Sequence, residues 1–405
     1  MAEKKKILYI VEAMGGGVFT YIVDLANELV NSYDMYIAYA VRKQTPQNYK
    51  DYFDKRIHLI EVKNFGRAID PVKDIAAFFE VKKIAAKIKS DVIHLHSSKA
   101  GAIGRVAFNG KIPMFWGDII WNSPELMKEL PETMVCLNWG YAPEQREDET
   151  RAIAQTGAMQ YLCPGVCGWN QWANLIENSY KNITRMCNYA AKYHGIGVLN
   201  TDWGDFGHIN DPAFSIPGMI YGAVFSWNKD EIPFTELNRM ISHIEYGDTT
   251  GNYVSYLAEI CGHSVFQWRE AVLYYENQCL KHELEEGEDL FRNVNHASVD
   301  TASAALRSLY KKLLESTKTM PENKKQMQLL SVTLQGIGIW NAIGLLAKSR
   351  EKTRSFDLKK GLELAEKLEY WFMAYKENWR STGKEGDLHH IAEIVFWYAD
   401  WLRHK

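Results

Sequence analysis

The stretch GKIPMFWGDIIWNSPELM, residues 110–127, joins two parts of the chain whose residue patterns differ. Before it, short apolar runs such as ILYIV (residues 7–11) alternate with segments whose apolar residues recur at helical spacing. After it the alternation continues, but the apolar runs now end in Trp, Tyr or Asp. The stretch therefore marks a change of domain type within a chain that keeps one strand–helix rhythm.

The part of the chain before residue 112 has the pattern of a parallel sheet. Its predicted strands after ILYIV are MYIAYAV (35–41), IHLIEV (57–62) and DVIHLH (91–96). Its predicted helices begin with GGGVFTYIVD (15–24), DPVKDIAAFF (70–79) and SKAGAIGRVAF (98–108). Because strand–helix–strand units place their strands in parallel, residues 1–112 are expected to form Rossmann-like β/α units.

Four further strands are predicted after residue 113. They are MFWGDII (114–120), TMVCLNW (133–139), AMQYLCPG (158–165) and GIGVLNTDWGD (195–205). Polar and aromatic residues at the carboxyl ends of successive parallel strands are typical of the site of a (β/α) barrel. The sequence therefore predicts an α/β fold in which residues 113–230 form β/α units of the barrel type. Amphipathic patterns predict an α-helical region over residues 231–405.

Composition excludes several classes of partner. The net charge is −3 and both signs are spread along the chain, so we expect no nucleic-acid partner and no polybasic membrane anchor. No run reaches the roughly 18 apolar residues of a membrane span, and the first apolar run is broken by Glu12. None of the six Cys forms a C-x-x-C pair. We therefore expect a cytoplasmic chain without a metal or cofactor, and free thiols at Cys163 and Cys167.

The segments KILYIVEAMGGGVFTYIVDLANEL and DVIHLHSSKAGAIGR resemble the N-terminal domain of family 4 glycosyltransferases, over residues 4 to about 111. In that family this domain holds the acceptor, and its glycine loop, here Gly15, Gly16 and Gly17, lies near the donor diphosphate. Glycines let backbone N–H groups approach a phosphate at a helix N-terminus, although a tight strand-to-helix turn also uses glycine. The second Rossmann domain of the family, which binds the nucleotide sugar, has no counterpart in this sequence, so normal sugar transfer is not expected.

The predicted fourth strand of this part, DVIHLH, ends in polar residues. His94, His96 and Lys99 are therefore candidates for contact with an acceptor. For His94 the pattern is equally typical of a histidine in the core.

The motifs MFWGDII, VCLNWGY, YLCPGVCGWNQW, GIGVLNTDWGDFGH and GAVFSW resemble the second half of the catalytic barrel of glycoside hydrolase family 20, the β-N-acetylhexosaminidases. The resemblance implies an apolar box around an N-acetyl sugar made by four tryptophans: Trp116, Trp139, Trp169 and Trp203. It also implies that Tyr161 bonds the acetamido oxygen and that Asp205 binds sugar hydroxyls. Asp118 and Asp202 end predicted strands and are candidates for orienting other groups.

Two departures from family 20 bear on activity. Many members have Asp where this chain has Cys163, and the adjacent Asp-Glu pair that supplies the general acid has no match in residues 1–113. The eight strands are expected to adopt one of two arrangements. In the first they close as a 4+4 barrel, with four strands from each part of the chain, and His94 and His96 lie near the place of the missing pair. In the second, an open Rossmann-like sheet lies beside a half-barrel.

Three functions follow from these resemblances. The first is an impaired family 20-like hydrolase acting on a small glycan or hexosamine-containing substrate. The alternatives are family 4-like sugar transfer and sugar binding without catalysis. The sequence leaves open the oligomeric state, and it leaves open whether the join is natural or a misjoined reading frame.

Overall fold

The computed structural model describes residues 4–12, 14–41, 45–66, 71–96, 112–117, 120–130, 132–228, 230–383, 385–386 and 388–404. The chain divides into two compact units. The first unit comprises Met1–Trp116 and Lys128–Cys136, and the second comprises Gly117–Met127 and Leu137–Lys405. The predicted helix at residues 98–108 lies outside the described residues.

The first unit contains a four-stranded sheet in the order β3-β2-β1-β4. Its strands, all paired in parallel, are β1 (Lys6–Val11), β2 (Asp34–Tyr39), β3 (His58–Glu61) and β4 (Val92–His96). Helix α1 (Gly16–Leu29) connects β1 to β2, and helix α2 (Pro71–Ile88) precedes β4. The predicted parallel α/β arrangement is confirmed for this part of the chain.

The central strand β1 supplies two cores because successive side chains of a strand point to opposite faces. Tyr9 and Val11 pack in one cluster with residues of α1, and Leu8 and Ile10 pack in a second cluster with residues of α2. A strand that is covered on both faces has apolar residues at every position. The continuous apolar run ILYIV could therefore be predicted as a buried strand from the sequence.

The second sheet is also four-stranded, in the order β5-β6-β7-β8. Its strands are β5 (Met114–Trp116), β6 (Val135–Trp139), β7 (Met159–Cys163) and β8 (Gly197–Val198), and β7 and β8 pair in parallel. Helix α3 (Glu147–Gln155) follows β6, and helix α4 (Ile176–Lys192) follows β7. The predicted long strand at 195–205 is reduced to two residues. The chain beyond Val198 leaves the regular ladder but stays hydrogen-bonded to it, from Leu199 N to the Leu162 carbonyl and from Thr201 N to the Pro164 carbonyl.

The prediction of one closed 4+4 barrel is wrong for the described residues, which form two separate sheets. In such a barrel β4 would lie between β3 and β5. Instead β4 pairs with β1, in a register that sets His94 beside Tyr9. Both edges of β1 are thereby occupied, and β3 and β4 become the outer strands of an open sheet. The second half of a family 20-type barrel stays a prediction.

The remainder of the second unit is helical, as predicted for residues 231–405, and the helical region begins earlier, at Ile216. Its helices are α5 (Ile216–Trp227), α6 (Phe234–Ile244), α7 (Tyr253–Glu259), α8 (Trp268–Tyr275), α9 (His296–Thr317), α10 (Asn323–Thr353), α11 (Leu358–Thr382) and α12 (Leu388–Trp401). Their apolar faces meet in one large core. Of the described helices, α10 alone is long and apolar enough to cross a membrane, but 61% of its most apolar window is buried inside the protein. A core helix has this same property, so α10 is weak evidence for a membrane span.

Candidate functional site

Four rings meet at the carboxyl end of β4 in the first unit, and we call them the histidine cluster: Tyr9, Tyr21, His94 and His96. The two imidazoles are two residues apart on one face of β4, with ring centroids 4.2 Å apart. Tyr9 of β1 meets both edge-on, at 5.2 Å and 5.4 Å. Tyr21 of α1 lies 5.7 Å from the ring of His96. The sequence shows that the two histidines lie close together on one predicted strand, but it does not indicate that Tyr9 and Tyr21 lie beside them.

Burial determines the charge of the histidine cluster. It lowers the pKa of His94, and burial together with the neighbouring His94 lowers the pKa of His96 from 6.5 to about 3. Burial also raises the pKa of Tyr9 and Tyr21. All four rings are therefore neutral near neutral pH. A group with a pKa this low is a poor general base at about pH 7, so the cluster is suited to hydrogen bonding with hydroxyl groups rather than to proton abstraction.

The glycine loop stands at the start of α1. Gly15 caps the helix with extended backbone at φ −164° and ψ 163°, a conformation open to any residue. The turn itself therefore does not require glycine at position 15. The helix starts at Gly16 and has no acidic side chain in its first turn. No carboxylate of that turn therefore competes with a bound anion for the unsatisfied backbone N–H groups. Lys99 lies outside the described residues.

The second unit brings three of the predicted tryptophans together around a tyrosine, and we call Trp139, Tyr141, Trp169 and Trp203 the aromatic cluster. Tyr141 stacks on Trp139 at 5.1 Å and meets Trp169 edge-on at 4.8 Å. Trp203 donates from Nε1 to the Tyr141 hydroxyl over 2.7 Å. These residues follow β6, β7 and β8, whose carboxyl ends meet at one edge of the sheet.

Tyr141 is the residue that the sequence analysis missed. Burial raises the pKa of its hydroxyl, and hydrogen bonds with Thr201 and Trp203 act in the opposite direction. The negative charge of Asp205 also raises this pKa, which places the predicted sugar-binding carboxylate within reach of the aromatic cluster. The signal was in the motif VCLNWGY, where Tyr141 follows the predicted Trp139 by two positions.

Glycine at position 165 is required by close packing against the cluster. A Cβ there would lie 2.9 Å from the Tyr141 ring and 3.1 Å from the Trp169 ring, closer than ordinary contact. Gly197 has the same role on β8, because a Cβ there would meet the Tyr161 ring at 2.4 Å. Tyr161 thus packs against β8.

The other predicted site residues are placed as follows. Trp116 is 41% exposed on β5 and belongs to the first unit. Asp118 lies outside the described residues. Cys163 and Cys167 are buried and are not joined in a disulfide. Burial, followed by the charge of Asp202, raises the pKa of Cys167 to about 12. Across the part of the chain that the structure describes, no group of three or more His, Cys, Asp or Glu side chains is placed to hold a metal ion.

The aromatic cluster has the composition of a sugar platform. An indole ring packs on the apolar C–H face of a pyranose, and a carboxylate accepts hydrogen bonds from hydroxyl groups. Trp203, which is 37% exposed, presents its ring to solvent. The described contacts of the cluster therefore fit binding, and they include no pair of carboxylates arranged for hydrolysis.

Comparison with known proteins adds the following. A solved GH138 enzyme targeting pectin rhamnogalacturonan II is similar over 86% of this chain and 50% of that chain, at 10% identity and a TM-score of 0.39. A relative from Escherichia coli, UDP-Gal:alpha-D-GlcNAc-diphosphoundecaprenol alpha-1,3-galactosyltransferase, is 37% identical over 57 residues. That match covers 14% of this chain and 15% of the relative.

These comparisons give the family 20 prediction no support. The chain spans about a seventh of the length of the Escherichia coli relative and half of the GH138 structure. Residues 15–117 match the model of Glycosyltransferase Family 4, so this quarter of the chain is similar to that family.

Proposed function

We propose that this chain takes part in sugar transfer, with its first unit serving as the acceptor-side domain of a family 4 glycosyltransferase-like protein. The observation that carries the proposal is the match of residues 15–117 to that family. The parallel sheet in the order β3-β2-β1-β4 supports it, as does the entry of α1 directly after β1. We therefore prefer sugar transfer, the alternative from the sequence analysis, to the predicted sugar hydrolysis.

The first unit offers two groups of contacts to a sugar-diphosphate ligand. The N-terminus of α1 presents backbone N–H groups and a partial positive charge, which together favour a phosphate. The histidine cluster, at the carboxyl end of β4, offers neutral imidazoles to hydroxyl groups. The name of the Escherichia coli relative specifies a UDP-linked donor and a diphosphate-linked acceptor. We infer that the first unit recognises a ligand that carries a sugar diphosphate.

The test measures binding of UDP-galactose and of a GlcNAc-diphosphate-lipid analogue to the full chain by calorimetry. The variant Gly16→Glu places a carboxylate in the first turn of α1, where it favours the helix but repels a diphosphate. Its Kd is expected to rise about tenfold above that of the uncharged control Gly16→Gln, a difference that salt reduces. Equal Kd values for the two variants, or no binding to the unaltered chain, would contradict the proposal. Release of UDP on mixing both ligands would extend it to turnover.

A second function, sugar binding without turnover, is favoured by the aromatic cluster. Trp139, Trp169 and Trp203 surround one tyrosine, and Asp205 acts on its hydroxyl. This arrangement provides stacking surfaces and a hydrogen-bond acceptor. We propose a hexosamine-containing glycan as the ligand.

The variant Trp203→Ala is expected to weaken binding of a methyl N-acetylglucosaminide about tenfold, the effect of losing an exposed stacking contact. Trp227→Ala is the matched control, because Trp227 is 89% exposed and belongs to no described aromatic contact. Saturation-transfer NMR measures the affinity of each variant. If an aryl N-acetylglucosaminide were hydrolysed at enzymatic rates, and Trp203→Ala abolished that activity, the non-catalytic interpretation would be wrong.

A further inference from the structure

Helix α2 of the first unit has apolar residues on two opposite sides, and the fold buries only one of them. Ala77 and Val81 are fully buried in the core that α2 shares with the sheet. On the other side of the helix, Ile75 is 59% exposed and Phe79 is 61% exposed. Residues four apart are neighbours on a helix surface, so these two side chains form one apolar patch that is open to a partner.

Three lysines surround this patch. Lys82, Lys83 and Lys87 are exposed, and at about 3.6 residues per turn all three project within a quarter turn of Phe79. Within the part of the chain that the structure describes, none of these three ammonium groups forms an ion pair. We call Ile75, Phe79 and the three lysines the outer face of α2.

No carboxylate interrupts the outer face. The acidic residues of α2 are Asp74 and Glu80. Asp74 is half-buried on the flank of the helix that turns towards the core. The Glu80 carboxylate accepts hydrogen bonds from the backbone N–H groups of Lys63 and Asn64, at 3.2 Å and 3.4 Å, and from Asn64 Nδ2 at 3.1 Å. The outer face is therefore positively charged, although the net charge of the whole chain is −3.

The combination of lysines with an apolar centre discriminates among possible partners. Protein–protein interfaces are depleted in lysine compared with the rest of the surface. A nucleic acid is bound mainly through its phosphates, and such contacts would leave the aliphatic side chain of Ile75 without an apolar partner. A lipid interface receives both kinds of side chain. Apolar groups enter the boundary between headgroups and acyl chains, while lysines extend their ammonium groups to anionic headgroups.

We propose that the outer face of α2 docks the first unit on the surface of a bilayer that contains anionic lipids. The helix lies along the bilayer and does not cross it, because Ala77 and Val81 stay in the protein core. Each lysine near an anionic surface strengthens binding about fivefold, so the three lysines and the apolar pair together give reversible attachment. The proposal concerns α2 alone and does not rest on the sugar-transfer role.

The experiment measures sedimentation of the full chain with lipid vesicles. The vesicles consist of phosphatidylcholine alone or of an equal mixture with phosphatidylglycerol. The unaltered chain is expected to bind the mixed vesicles more than about tenfold more tightly, a difference that salt reduces. The double variant Lys82→Gln/Lys83→Gln is expected to bind them about 25-fold more weakly. Lys324→Gln/Lys325→Gln changes an exposed lysine pair on α10 and is the matched control, which should bind as the unaltered chain does.

A second variant tests the apolar contribution separately. Phe79→Ser keeps all the lysines and changes an exposed side chain, so the thermal midpoint is expected to be kept. Its affinity for the mixed vesicles is expected to fall about tenfold, because the phenyl ring no longer enters the interface. Tyr370→Ser is the matched control, since Tyr370 is 66% exposed on α11 and lies outside the outer face.

Several outcomes would overturn the proposal. One is that the unaltered chain sediments with neither kind of vesicle, and another is that either α2 variant binds as tightly as its control. Self-association without vesicles that Phe79→Ser abolishes would assign the outer face to a second copy of the chain instead. Sedimentation is measured without nucleotide sugar, whereas the sugar-transfer role is tested by calorimetry of UDP-galactose without vesicles. Failure of one proposal is therefore distinguishable from failure of the other.

Discussion

Replacing Trp340 with alanine is expected to lower the free energy of unfolding by about 4 kcal/mol, the usual range for deleting a buried aromatic side chain. Trp340 is 0% exposed in the helical core. Its ring meets Tyr398 edge-on at 4.9 Å and Trp268 at 5.3 Å. The substitution removes both contacts and leaves a cavity that rigid neighbouring helices fill only in part. Urea denaturation followed by circular dichroism measures the change.

The matched pair Trp340→Phe and Trp268→Phe separates packing from hydrogen bonding. Both tryptophans are fully buried, but Trp268 donates from Nε1 to the Phe206 carbonyl, whereas Trp340 Nε1 has no partner among the residues described. Trp340→Phe removes an unpaired donor, and this gain offsets part of the lost packing. Trp268→Phe removes the donor to the partly buried Phe206 carbonyl and is expected to destabilise the chain by about 1–2 kcal/mol more. Equal losses from the two variants would show that the hydrogen-bond contribution is absent.

Acidification is expected to weaken the fold through the histidine cluster. The pKa of His96 is lowered from 6.5 to about 3, and that of His94 is lowered as well. In the unfolded chain both imidazoles bind protons as the pH falls through 6.5, whereas in the folded chain they stay neutral. The stability contribution is therefore complete above pH 6.5 and is lost as the pH falls from there towards about 3. The loss at about pH 4 is expected to be about 3 kcal/mol.

Urea denaturation at neutral pH and at about pH 4 measures this loss. Carboxylates also titrate in this range, so the informative quantity is the difference between the unaltered chain and His96→Gln. The variant cannot take up a proton at this position and should lose less stability on acidification. His58→Gln, an exposed substitution on β3, is the control and should follow the unaltered chain. A pH dependence that is identical for all three chains would contradict the assignment.

The predictions that succeeded were local ones. The apolar run at residues 7–11 marked a strand buried on both faces, and the spacing of apolar residues marked the helices of both units. The glycosyltransferase-type segment was found because its motifs are contiguous in sequence. The prediction of a family 20 hydrolase has no support in the comparisons, and the alternative of sugar transfer fits them better. Tyr141 was missed because its importance comes from three tryptophan rings in three separate segments of the chain, and residue type alone does not show that they meet.

The sequence by itself determined which segments become strands and helices, because side-chain periodicity of two or of 3.6 residues is read along the chain. It also revealed the similarity of residues 15–117 to family 4 glycosyltransferases. Only the tertiary structure decided that β4 pairs with β1 in an open sheet, since strand order is a choice among partners far apart in sequence. Only the tertiary structure placed Trp172 against Trp371 beside a cavity that is partly open to solvent. The physical reason is that a cavity belongs to the packing of whole elements, and no local pattern encodes the space that they leave between them.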